Sequence, residues 1–238
     1  MFGCYWFLGG HLLESTTIPL ELYFEHRNYL PALLLGWPLA RALVRLRIPV
    51  AARGAIALLV LAGLAATTWQ RAALWADQPR MAALWAAANP GSSRAIATQA
   101  LLDMQSGRPD LAMNLLSAPW QHRPDDLQLA LNYISAACLA GGPTAPDTRA
   151  LERALRTNAG GGPLVFEWLN DMLDTVQAGR CPAVSIDNVE RWARAALSNP
   201  RLAGMPGRRQ DLHSVLGRIA LARGDAVAAL REFRSALD

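Results

Sequence analysis

The sequence predicts an all-α protein in which a transmembrane helical hairpin is followed by an array of paired helices, and three observations carry that expectation. From Arg27 to Ala76 there is no acidic residue, and two apolar runs fill most of the stretch. Beyond Arg80 the pattern changes to Ala- and Leu-rich amphipathic segments separated by Gly, Pro and Asn-Pro breakers. The breakers recur at repeat-like intervals, because Pro124 lies 34 residues after Pro90 and Pro200 a further 76 on, or twice 38. The chain divides accordingly into residues 1–28, 29–76 and 77–238.

Charge follows the same division. Residues 1–76 hold six Arg against three Glu, a net charge of +3, whereas residues 77–238 hold seventeen Arg against sixteen acids, a net charge of +1. The basic excess therefore sits beside the membrane-like runs, and the high isoelectric point does not argue for nucleic acid. There is no lysine at all. With Ala so abundant, that absence reflects the base composition of a GC-rich genome rather than a phosphate-binding surface. The three cysteines, Cys4, Cys138 and Cys181, form no C-x-x-C or His-spaced cluster, so no metal and no cofactor is implied. Cys138 and Cys181 can pair in an oxidising compartment or stand as two helix-packing thiols, and both readings are open.

Taken in order, Met1–Leu13 is apolar and aromatic but lacks the basic start and cleavage site of a signal peptide. At about thirteen residues it falls short of a span of about twenty, and it reads as the last part of a transmembrane helix from a longer parent. His11–Arg27 is a polar connection in which Pro19 opens a short helix, with Glu21 and Glu25 on one face. Tyr29–Ala40 is interrupted by Pro31 and Pro38 and reaches spanning length only if Arg41, Arg45 and Arg47 snorkel into the head-group region. Gly54–Thr68 is apolar up to its closing threonines, and extension past Trp69 to Trp75 completes a span with an aromatic anchor. The loop between the runs holds Arg41, Arg45, Arg47 and Arg53 with no acid. By the positive-inside rule that loop is cytoplasmic, which predicts a multi-pass protein of the bacterial inner membrane with its C-terminal domain in the periplasm.

The clearest helix-break-helix copy is the last, with Leu216-Gly217, Gly224-Asp225, Ala229, Phe233 and Ala236. It resembles the tetratricopeptide repeat, in which small residues let paired helices approach and an aromatic fills the gap between repeats. An earlier copy places Ala100, Gly107, Ala112, Leu116 and Pro124 at the same offsets, with Pro119 where alanine is expected. Two further pairs, at about residues 127–158 and 163–200, have Gly-rich joints at Gly141-Gly142-Pro143 and Gly160-Gly161-Gly162-Pro163.

The polar loop ends in His26-Arg27-Asn28-Tyr29-Leu30-Pro31. Followed by a membrane hairpin and an outer repeat array, it resembles the C-terminal part of GT-C-class glycosyltransferases, including bacterial relatives of the O-mannosyltransferases. The resemblance implies a parent acting on envelope polysaccharide or protein with a lipid-linked sugar donor. It also implies a catalytic acid in a first outer loop that this chain lacks, so the chain alone is not expected to transfer a sugar. No H-E-x-x-H, G-x-S-x-G or Walker-type loop occurs.

Two candidate sites follow. Arg27 and His26 can contact the phosphate of a polyprenyl-phosphate donor at the membrane surface, with Glu14, Glu21, Glu25 and Asn28 orienting the arginine or binding sugar hydroxyls. Equally, Arg27 can simply pair with Glu25 or Glu21. The second candidate is the concave side of the array, where Trp120, His122, Trp168 and Trp192 either line a groove for a protein partner or pack between repeats. The expected function is to bind or position a protein partner at the periplasmic face of the inner membrane. The alternative is a portion of a sugar transferase.

Overall fold

The computed structural model describes residues 5–6, 36–158 and 164–237. Among them are twelve α-helices and no strand, as expected of an all-α chain. Residues up to Ala73 and those from Leu74 onward form two separate units.

In the first unit, α1 spans Gly36–Arg45 and α2 begins at Val50. Pro38 falls in the first turn of α1, where a missing N–H costs nothing. The chain then bends through Leu46–Ile48 to Pro49. Arg53 crosses this bend and donates from Nη1 to the Val44 carbonyl at 2.9 Å. Arg41, Arg45 and Arg47 are exposed.

Helix α2 runs Val50–Ala76 with 27 residues, a most apolar stretch of mean hydropathy 1.9 and no buried residue. At 1.5 Å per residue it is about 40 Å long, enough to cross a bilayer core of about 30 Å. It is the one helix among the described residues long and apolar enough to do so. The first leg expected at Tyr29–Leu46 is described only as α1, which has ten residues. Tyr29–Leu35 lie outside the described residues.

The second unit continues with α3 (Gln78–Ala88), α4 (Ser93–Gln105), α5 (Pro109–His122), α6 (Leu127–Leu139), α7 (Ala145–Thr157) and α8 (Leu164–Gln177). After these come α9 (Ile186–Leu197), α10 (Pro200–Ala203), α11 (Pro206–Ala222) and α12 (Ala226–Leu237). Their starts are written locally. Side-chain oxygens of Asp77, Ser92, Asp126, Thr144, Ser185 and Asn199 each accept a first-turn backbone N–H, and Thr144 and Ser185 complete reciprocal capping boxes with Asp147 and Asn188.

The first helix of three pairs ends in the same way. Gly107, Gly179 and Gly224 have φ of 70°, 67° and 77°. The next residue then bonds back five positions, through Arg108 N–H to Asp103 O, Arg180 N–H to Thr175 O and Asp225 N–H to Ala220 O, at 2.8–3.0 Å. A residue with a Cβ pays for this left-handed turn, which is why glycine holds it. In the remaining pair Gly142 N–H makes the equivalent bond to Ala137 O.

Packing follows the order of the chain. Helices α4, α6, α8 and α11 touch in succession, and α7 and α9 lie against one another on the second layer. One core runs through them, with Leu116, Leu131, Ile134, Leu151, Leu169, Val189, Trp192 and Val215 fully buried. At the last pair Gly217 admits the Phe233 ring, since a Cβ there would come within 2.6 Å of it.

Candidate partner-binding groove

Of the predicted site residues, Glu14, Glu21, Glu25, His26, Arg27 and Asn28 lie outside the described residues. The structure does place Trp120, His122, Trp168 and Trp192. The three indoles are interior, with exposures of 7%, 9% and 1% for Trp120, Trp168 and Trp192.

Trp168 on α8 reaches back to α6, donating from Nε1 to Ser135 Oγ at 2.9 Å, and Trp192 on α9 reaches back to α7, donating to the Thr148 carbonyl at 3.2 Å. Their rings meet at 5.4 Å. Each indole thus joins its helix to the matching helix of the preceding pair. Trp120 packs on Tyr133 at 4.8 Å, and its own buried N–H has no partner. Buried in this way, the indoles are taken up mainly by packing between helices.

His122 differs, because it is exposed near the end of α5 and Nδ1–H donates to the Ala118 carbonyl at 2.7 Å. It borders a shallow depression of about 350 Å³ with Pro90, Pro119 and Arg123. Pro90 and Pro119 also wall a larger neighbouring groove of about 510 Å³ between α3, α4 and α5. The sides of that groove are Ala83, Ala87, Ile96, Leu111 and Leu115, and its polar element is Gln99 with Asp103.

Asp103 is 6% exposed and satisfied, its Oδ1 accepting from Arg108 Nη2 at 2.7 Å and its Oδ2 from Gln99 Nε2 at 3.1 Å. Gln99 Oε1 is buried and accepts nothing. The groove residues escaped attention in the sequence because their signal is ordinary. Ala83/Ala87, Leu111/Leu115 and Gln99/Asp103 are pairs four apart, as on any helix face.

The other concentration of polar groups is a lattice of ion pairs over α8, α9, α11 and α12. Arg223 binds both Asp187 and Glu190, and Arg194 binds Glu190 at 2.7 Å. His213, which has no ligand beside it in the sequence, meets Glu232 across the last hairpin at 2.8 Å. Among the described residues no cluster of His, Cys, Asp or Glu could hold a metal ion.

Burial alone would push the Glu190 carboxyl up, but hydrogen bonds and charge from Arg223 and Arg194 hold it below the ordinary glutamate range. A carboxylate depressed by folding stabilises the fold above its unfolded pKa, and this contribution is lost as pH falls through the lower folded value. Glu190→Gln is therefore expected to lower the urea midpoint at pH 7 while flattening its dependence below about pH 4. An acid dependence identical to that of the parent would refute the assignment.

Compared with family models, curated proteins and solved structures, the chain matches none.

Proposed function

We propose that the chain is a membrane-anchored adaptor whose tetratricopeptide-like array binds a protein partner at the periplasmic face of the bacterial inner membrane. The observation that carries this is the groove of α3, α4 and α5. Its walls of Ala83, Ala87, Ile96, Leu111 and Leu115 form an apolar surface suited to a peptide segment that offers apolar side chains. Recurrent glycine turns and the succession of first helices support the repeat reading.

Membrane placement rests on the unburied apolar surface of α2. Orientation follows from Arg41, Arg45 and Arg47 ahead of it, which favour the cytoplasmic side. The Cys138–Cys181 bond supports an exported array, because such bonds persist in oxidising compartments.

The test is site-specific photo-crosslinking in living cells with a benzophenone side chain at Leu111, compared with one at the exposed Arg209. A discrete protein adduct is expected only from Leu111, and it should disappear when Leu115→Arg is added. Equal adducts from both positions, or none from Leu111, would overturn the groove assignment. Alkaline phosphatase fused after Asp238 should be active, and an inactive fusion would overturn the orientation.

A further inference from the structure

A second pocket, between α7 and α9, has different chemistry. It measures about 450 Å³, within the range of small-ligand sites, and is lined by Pro143, Thr148, Arg149, Glu152, Asn188 and Arg191 among others. Arg149 and Arg191 are exposed and, among the described residues, neither guanidinium makes a hydrogen bond or ion pair. Other exposed arginines, such as Arg201 and Arg209, also lack a carboxylate partner among the described residues, so what marks Arg149 and Arg191 is that both line one pocket. Glu152 also lines the pocket and is paired with Arg156 Nη2 at 2.8 Å.

The rim is set before any ligand arrives. Asn188 Oδ1 accepts both the Ser185 N–H at 3.0 Å and the Ser185 hydroxyl at 2.7 Å, which orients the amide and leaves Nδ2 as its free donor. The last turn of α6 and the loop after α8, which lead into the pocket's edge, are joined by the Cys138–Cys181 bond, with Cα atoms 5.0 Å apart. They also meet where Gly142 faces Ala183, since a Cβ on Gly142 would lie 2.3 Å from that of Ala183. Preorganised donors lose less entropy on binding.

We propose that this pocket binds a phosphate-class oxyanion bearing a small substituent, with Arg149 and Arg191 sharing the anion and Asn188 Nδ2 donating beside them. Two guanidiniums facing one pocket favour a multiply charged, several-oxygen acceptor over a single carboxylate, because each planar fork engages two oxygens. The pocket volume leaves room beyond the anion for a group such as a sugar or glycerol. This site is separate from the proposed partner groove and does not depend on it.

Isothermal titration of the full chain in nonionic detergent tests the assignment, using inorganic pyrophosphate, glucose 1-phosphate and dihexanoyl phosphatidylglycerol as probes. At least one should saturate a single site. Arg149→Gln with Arg191→Gln is expected to weaken that binding about tenfold or more. The control Arg201→Gln with Arg209→Gln, which removes equal charge from another exposed surface, should leave it unchanged. Saturation by the lipid alone assigns a membrane headgroup, and saturation by either soluble phosphate assigns a free phosphate compound. No saturable binding, or equal weakening in the two double variants, would overturn the proposal.

Discussion

Trp192→Ala is expected to destabilise the array by about 3–5 kcal/mol, the usual cost of emptying a buried aromatic site. Trp192 is 1% exposed, meets Trp168 at 5.4 Å, and bonds through Nε1 to the Thr148 carbonyl at 3.2 Å. The substitution therefore opens a cavity between α7, α8 and α9 and leaves the Thr148 carbonyl without its indole donor. Collapse around the cavity is limited, because Val189, Ala193, Ala195 and Ala196 on the same helix are already fully buried. Trp192→Phe should recover most of the loss, since it restores volume and forfeits only the hydrogen bond. Urea unfolding of the full chain in detergent measures both variants. A Trp192→Ala cost below about 1 kcal/mol would show that the indole does not tie the helix pairs together.

The second large effect is expected from the disulfide. Cys138 lies in the last turn of α6, Cys181 follows α8, and they are 43 residues apart in sequence. By chain entropy a loop of that length contributes about 4 kcal/mol. Cys138→Ala with Cys181→Ala should lower the urea midpoint of protein prepared without reductant. Adding dithiothreitol to the parent should lower it similarly, with no further effect on the double variant. The same experiment bears on location, because thiol labelling under denaturing conditions should find both cysteines blocked in an exported array. Labelling of Cys138 and Cys181 in addition to Cys4 in protein taken directly from cells would contradict the periplasmic placement.

Much of the second unit was legible one segment at a time. Ser92, Asp126, Thr144 and Ser185 stand immediately before Ala- and Leu-rich periodic runs, and each is the cap of the helix that follows. Gly107 and Gly224 marked the joints of two helix pairs for the same local reason, namely the left-handed turn each must make. Gly179 makes the same turn and was less visible, since Cys181-Pro182 beside it reads as an irregular loop. In the first unit, the apolar run from Gly54 was readable, and α2, at 27 residues, contains it.

The site residues were harder to read. Helical spacing put Trp120, Trp168 and Trp192 on apolar faces, but it could not tell a face that meets the preceding helix pair from one that meets a partner. In the folded chain Trp168 and Trp192 find their acceptors 33 and 44 residues away, on Ser135 and Thr148. The groove has a similar origin, since Ala83, Ile96 and Leu115 line one surface only because α3, α4 and α5 pack together.

Helix positions, caps, glycine turns and the unburied apolar run of α2 depend on residues within a few places of one another, so composition and periodicity suffice to find them. The Cys138–Cys181 bond, the Trp168–Trp192 contact, the His213–Glu232 pair and the placing of Arg149 and Arg191 on one pocket depend on how successive pairs stack. That stacking is decided by packing between elements tens of residues apart, through side-chain shape and close-fitting volume that no local pattern records.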